Sequence, residues 1–243
     1  LVRMFISMPT ITKNIKRLQD KGYPIKSVLD IIQNDDNTHT IVYTSFDFQP
    51  CADTFSDKYV FVGPSIRPAT DKIVKTKEKL IYISMGTVNN DMMPLYKTCI
   101  TTLADTEYQV IISVGNLVSI KEFGKLPENI SVYEHVDQIA VLQVADIFLS
   151  HCGMNSVNES LYFGVPLLML PQTAEQGGVA ERVHQLGAGI KLKKTDRISI
   201  QNAINKLLLV GSYKENAMKI SCSFKHCSGS KGAADKIEQV CRK

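Results

Sequence analysis

From Leu80 onward, short apolar runs alternate with segments of helical spacing, and this alternation limits the fold more than any other feature of the chain. Leu80–Met85, Tyr108–Val114, Ile130–Tyr133, Ile147–Leu149, Val165–Pro171 and Gly189–Leu192 read as strands. Runs this short and this apolar suit strands buried on both faces. Met92–Leu103, Ile139–Ala145, Val179–Gly187, Ile200–Leu209, Tyr213–Phe224 and Ala233–Val240 carry helical spacing. Strands joined through helices give a parallel sheet with helices on both faces, an α/β fold. Ligands of such sheets bind beyond the carboxyl ends of the strands.

The most informative strand end is Ser150-His151-Cys152-Gly153-Met154-Asn155-Ser156-Val157-Asn158-Glu159. Met154, Val157 and Leu161 recur at helical spacing, so the segment reads as strand, tight turn and helix start. A helix N-terminus offers unpaired N–H groups and the positive end of the macrodipole, which favour an anion. Gly153 lacks the Cβ that would hold a phosphate off the backbone. Asn155, Ser156 and His151 add side-chain donors. Glu159 lies one turn beyond Asn155 on the same face, placed to accept from vicinal hydroxyls such as a ribose diol. These features predict a nucleotide diphosphate site, although a helix cap beside a packed histidine accounts for the turn equally well when it is taken alone.

The next strand, Val165–Pro171, leads to Gln172-Thr173-Ala174-Glu175-Gln176. The ordered combination HCGMNSVNESLYFGVPLLMLPQTAEQ resembles the donor-binding signature of UDP-dependent family 1 glycosyltransferases. It is most similar to the bacterial macrolide glycosyltransferase group. The earlier block YTSFDFQPCADTFSDKYVFVGPSIRP also resembles that group, where it closes the N-terminal domain. The resemblance implies a GT-B type fold with a Rossmann-like parallel sheet. It divides the chain into 1–66, a remnant of an acceptor domain; 67–78, a linker poor in apolar residues; and 79–243, a complete nucleotide-sugar donor domain.

Residue by residue, the resemblance assigns Ser84, Gly86, Thr87, His151, Gly153, Asn155 and Ser156 to the diphosphate. Val136 and Gln138 are assigned to the uracil, Glu159 to the ribose, and Glu175 and Gln176 to the donor sugar. Asp137 stands where the family usually has Pro, Cys152 where the bacterial group has Gly, and Glu175 where the acid is usually Asp. Cys152 is given a packing role. The implied reaction moves a hexose, glucose foremost, from a UDP-sugar to a hydroxyl of a hydrophobic small-molecule acceptor, with inversion and without metal or cofactor. The family's base is a His near the start of the N-terminal domain. None of His39, His135, His151, His184 and His226 matches its motif, so the base is expected ahead of Leu1 and this chain is expected to bind donor without turnover. A non-catalytic UDP-sugar-binding module and a sugar-nucleotide epimerase of the same architecture are the alternatives.

A formal charge of +4 over 243 residues makes no case for nucleic acid. No apolar run reaches the ~18 residues of a membrane span. The 6 cysteines form no CxxC pair, which predicts reduced thiols in a cytoplasmic protein and no metal site. Before the alternation begins, Ile11, Ile15 and Leu18 predict a helix stopped by Lys21-Gly22-Tyr23-Pro24. Thr40–Thr44 and Tyr59–Val62 predict strands, and Phe46–Phe55 a short helix around Pro50.

Overall fold

The computed structural model describes residues 2–32, 38–86 and 91–242, with backbone alone for 2–7 and 31–32. These divide into two compact units, Leu1–Thr40 with Asp57–Tyr59, and Ile41–Ser56 with Val60–Lys243. The first unit holds helices α1 (Val2–Asp20) and α2 (Leu29–Ile32). Ile11, Ile15 and Leu18 form a half-buried stripe among exposed neighbours on α1, as their spacing predicts. The helix stops where Gly22 takes φ +85 and donates to the Gln19 carbonyl at 2.9 Å.

Strands β1 (Thr40–Val42) and β2 (Tyr59–Phe61) form a two-stranded sheet. The helix expected over 46–55 shrinks to a single 3-10 turn at Ala52–Thr54. Pro50 has no N–H to continue a helix, and Cys51 sits in the left-handed region at φ +50.

The second unit carries the alternation in full. In chain order it runs β3 (Lys79–Ser84), α3 (Met93–Leu103), β4 (Tyr108–Ser113), β5 (Ile130–Tyr133), α4 (Gln138–Leu142), β6 (Ile147–Ser150) and α5 (Met154–Tyr162). It continues β7 (Leu167–Met169), α6 (Ala174–Gln185), β8 (Gly189–Lys191), α7 (Arg197–Leu209), α8 (Gly211–His226) and α9 (Gly229–Cys241). All paired strands are parallel, in the order β5-β4-β3-β6-β7-β8. This is the parallel α/β sheet with flanking helices that the sequence predicts.

Alternate residues of the central strands feed opposite cores, which is why those runs are largely apolar, whereas the edge strand β5 buries only Ile130 and Val132 and exposes Ser131 and Tyr133. Leu80, Tyr82, Phe148, Leu167 and Met169 pack with Val157, Leu161 and Phe224 on one face. Ile81, Ile83, Ile112, Leu149 and Leu168 pack with Leu95, Tyr96 and Ile204 on the other. Each fully buried aliphatic or aromatic side chain contributes about 1.5–3 kcal/mol.

Chain order reverses direction between β3 and β6, whose last residues Ser84 and Ser150 are register partners. That crossing is where a doubly wound sheet opens a crevice. The irregular segment leading into β3 is pinned along the sheet's other end. Lys75 pairs with Asp146 at 2.6 Å, and Thr76 N–H donates to Gln109 Oε1 at 2.7 Å. Among the described residues no helix is long and apolar enough to cross a membrane.

Candidate functional site

A cavity of about 510 Å³ opens at the carboxyl ends of β3, β4, β5 and β6. Ser84, Gly86, Val136, Gln138, His151, Gly153, Asn155, Ser156, Glu159 and Gln176 all line it. The fold thus gathers into one place most of the residues singled out in the sequence. Thr87 lies outside the described residues. Glu175 does not line the cavity, although its charge acts on His151.

The floor is the turn between β6 and α5. Ser150 is fully buried, and its hydroxyl accepts from Cys152 N–H at 3.1 Å. Cys152 then takes φ +67, a left-handed conformation that costs a non-glycine residue about 1 kcal/mol or more. Its side chain is fully buried in the core, and burial pushes the thiol up to about 12. The residue packs and does not react. Gly153 caps α5 at φ −60 without any side-chain hydrogen bond to the first turn. The N–H groups of that turn are therefore left uncapped by side chains at the cavity wall, the arrangement that favours an anion.

The absent Cβ of Gly153 also makes room for a neighbouring side chain. A Cβ built there would meet the His151 imidazole, 2.6 Å from Nε2. Gly86, at φ +81, would likewise place a Cβ 2.5 Å from His151 Cε1. The two glycines make room for the imidazole, which occupies the space between the ends of β3 and β6. Burial, opposed by the charge of Glu175, lowers the His151 pKa and so favours the neutral ring. Among the described residues its buried Nδ1 has no hydrogen-bond partner.

The opposite wall is a hydrogen-bonded chain. Tyr82 hydroxyl donates to Gln138 Oε1 at 3.2 Å, which turns the amide Nε2 toward Glu159 Oε2 at 2.5 Å and Ser156 Oγ at 3.4 Å. Burial raises the Glu159 pKa, while the Gln138 hydrogen bond and the Arg67 charge oppose the rise. Among the described residues the other carboxylate oxygen of Glu159, Oε1, makes no hydrogen bond.

At the third side α6 begins at Ala174, earlier than the apolar spacing indicates. Thr173 and Gln176 form a reciprocal capping box. Gln176 Oε1 accepts from Gln172 N–H at 2.8 Å and Thr173 N–H at 3.2 Å, which leaves its amide NH₂ for the cavity.

Sequence reasoning missed Arg67, Tyr82, Ser113, Gly115, His135 and Gln172, which complete the lining with Met85 and Met154. Ser113 and Gly115 had a usable signal, since they end a strand read correctly. Arg67 had none, because it lies in a stretch whose composition reads as linker. Asp137, at the family's Pro position, N-caps α4 by accepting from Ile139 and Ala140 N–H at 3.1 and 3.4 Å. The start of that helix is thus fixed by a side chain where Pro would fix it by ring geometry. Among the described residues no group of three or more His, Cys, Asp or Glu could hold a metal ion.

A family profile described as UDP-glucoronosyl and UDP-glucosyl transferase matches residues 70–228. The uncharacterized UDP-glucosyltransferase YojK of Bacillus subtilis (strain 168) is 37% identical over 88% of this chain and 54% of its own length. Oleandomycin glycosyltransferase of Streptomyces antibioticus is 27% identical over 78% of this chain and 46% of its own length. Among solved structures, the glycosyltransferase of kitacinnamycin superposes with a TM-score of 0.86 at 27% identity, covering 95% of this chain and 61% of that one. The chain therefore spans about half the length of the curated relatives it matches.

Proposed function

Because this chain belongs to the UDP-glucoronosyl and UDP-glucosyl transferase family, we propose that its cavity binds a UDP-sugar for transfer of a hexose to a hydroxyl of a hydrophobic small-molecule acceptor. One observation carries the reading: the uncapped first turn of α5 and the His151 imidazole face the same cavity as the half-buried Glu159 carboxylate one turn deeper. The first two suit a diphosphate, and the carboxylate suits a diol. The similarity to the UDP-glucosyltransferase YojK and to oleandomycin glycosyltransferase supports the same class.

In this reading the diphosphate lies over Gly153, Asn155 and Ser156, the ribose against Glu159, and the uracil beside Val136 and Gln138. The sugar points toward Gln172 and Gln176, with glucose the first candidate. An acceptor hydroxyl attacks the anomeric carbon with inversion, the bond to the diphosphate breaks, and UDP leaves. Negative charge grows on the leaving diphosphate, where fixed N–H donors strengthen as it develops and supply electrostatic catalysis. We assign no residue of this chain as the base that takes the acceptor's proton. Residues 79–243 form the donor domain, 67–78 the linker and 1–66 part of the acceptor side.

The test is calorimetry with UDP and UDP-glucose, followed by assay of UDP release with a panel of hydroxylated hydrophobic acceptors. Micromolar to millimolar binding of both ligands is expected. No binding of either one contradicts the reading. Interconversion of UDP-hexoses without an acceptor would make the protein an epimerase.

A further inference from the structure

The buried carboxylate of Asp137 gathers donors from two places at once. Besides the α4 N–H groups, Oδ1 accepts from Arg67 Nη2 at 2.6 Å. Oδ2 accepts from Thr70 N–H at 2.5 Å, Thr70 hydroxyl at 2.9 Å and Asp71 N–H at 3.1 Å. One side chain thus ties the segment at 67–71 to the start of the helix that carries Gln138. Burial alone disfavours the ionised carboxyl, but these hydrogen bonds outweigh it and hold its pKa well below the usual carboxylate range.

Arg67 is consequently fixed at the cavity wall although 51% of its side chain is exposed. Arg67 and Glu159 line the same cavity, and each feels the other's charge. Nη1 donates to the Pro68 carbonyl at 2.9 Å, and among the described residues Nε–H makes no hydrogen bond. A guanidinium held by its edge leaves a planar face and a spare donor for a flat, polar ligand group.

We propose that Arg67 is a ligand for the nucleoside half of the bound nucleotide, covering the pyrimidine, and that Asp137 is its positioning residue. The inference rests on the UDP-sugar reading of the cavity. It adds a contact from the linker, outside the strand ends, their loops and the helices that follow them, which hold every residue assigned so far.

The experiment titrates UDP, uridine and inorganic pyrophosphate into the wild type and into Arg67→Ala, Asn155→Ala, Asp137→Asn and the Arg67→Ala/Asp137→Asn double variant. Arg67→Ala is expected to weaken UDP and uridine alike, by about tenfold, and to leave pyrophosphate unchanged. Asn155→Ala should do the reverse, weakening UDP and pyrophosphate and sparing uridine. If Asp137 acts through Arg67, the double variant binds UDP as Arg67→Ala does. Additive losses in the double variant would overturn the positioning role. An Arg67→Ala protein that binds UDP and uridine as the wild type does, or that loses pyrophosphate equally, overturns the assignment to the nucleoside. Wild type that binds no UDP refutes the donor-site reading itself, a result distinct from normal binding by an unaffected variant.

Discussion

His151 and Gly86 meet at the crossing of the sheet, where a β-carbon on the glycine would sit 2.5 Å from the imidazole Cε1. Gly153 closes on the same ring from the other side, but the two glycines are not equivalent. Gly86 has φ +81, which L side chains rarely adopt, whereas Gly153 has an ordinary φ of −60. The imidazole's position is therefore set by two backbone segments that meet at the end of β3 and the start of α5.

Gly153→Ala should destabilise the protein by about 1–3 kcal/mol through overpacking alone. Adding His151→Ala should remove most of that cost. The same addition should leave Gly86→Ala with about 1–2 kcal/mol of left-handed backbone strain. Denaturant unfolding of the single and double variants measures both couplings. An equal cost of Gly153→Ala with and without the imidazole would show that the ring is free to move aside.

Glu159 has a pKa raised by burial, so its charge works against the unliganded fold. A group of this sign contributes stability that is fully present below its unfolded pKa and lost as pH rises through the folded value. Glu159→Gln should therefore melt higher than wild type at pH 7, with the gap closing below the ordinary value of 4.5. The same variant should bind UDP more weakly. A wild type more stable than Glu159→Gln at neutral pH would mean that the Gln138 hydrogen bond outweighs the desolvation.

Asp137 has the opposite sign. Its depressed pKa contributes stability above the unfolded value of 3.8, and that stability is lost as pH falls through the folded value below it. Asp137→Asn should cost about 1.5–3 kcal/mol at neutral pH, the range for hydrogen bonds to a charged group. The difference in Tm from wild type should shrink as the solution is taken into strong acid. A difference independent of pH would show that the amide loses packing or capping rather than charge.

Gln176 combines a structural and a ligand-facing role that one substitution can separate. Gln176→Ala removes only the reciprocal half of the α6 capping box, since Thr173 Oγ still accepts from the backbone N–H at 176, and should cost less than the ~1 kcal/mol of a lost N-cap. Gln176→Glu keeps an oxygen for Gln172 and Thr173 N–H and places a negative charge where the helix dipole favours it. It loses only the NH₂ aimed at the cavity. Unaltered Tm and UDP affinity, with a changed preference between UDP-glucose and UDP-galactose, are expected. A large fall in UDP affinity would put Gln176 on the nucleotide.

The sheet was legible in the chain because strands buried on both faces announce themselves as unbroken apolar runs, and each was located to within a residue or two at its ends. Ten proposed site residues fall in one cavity for a related reason, since strand ends in a parallel sheet converge whatever their distance in sequence. Arg67 was not legible. It meets Asp137 across 70 residues, and a residue in a polar, irregular segment shows no period that would give its direction. The reason for Gly153 was hidden in the same way, because spacing does not tell where the His151 ring points. At Phe46–Phe55 the apolar and turn residues mimicked a helix that Pro50 and the left-handed Cys51 prevent. The start of α6 was misjudged because Gln176 looked committed to a ligand, although its oxygen is half of a capping box.

The most direct test of the central claim is a cycle of two nucleotides against two proteins. UDP and its 2′,3′-dideoxy analogue are titrated calorimetrically into wild type and Glu159→Ala. If Glu159 accepts from the ribose hydroxyls, the substitution should weaken UDP by about 1.5–3 kcal/mol, or roughly ten- to a hundredfold. The dideoxy analogue should bind both proteins alike. Equal loss of both ligands in the variant would contradict the placement of the ribose, and with it the orientation of the nucleotide in this cavity.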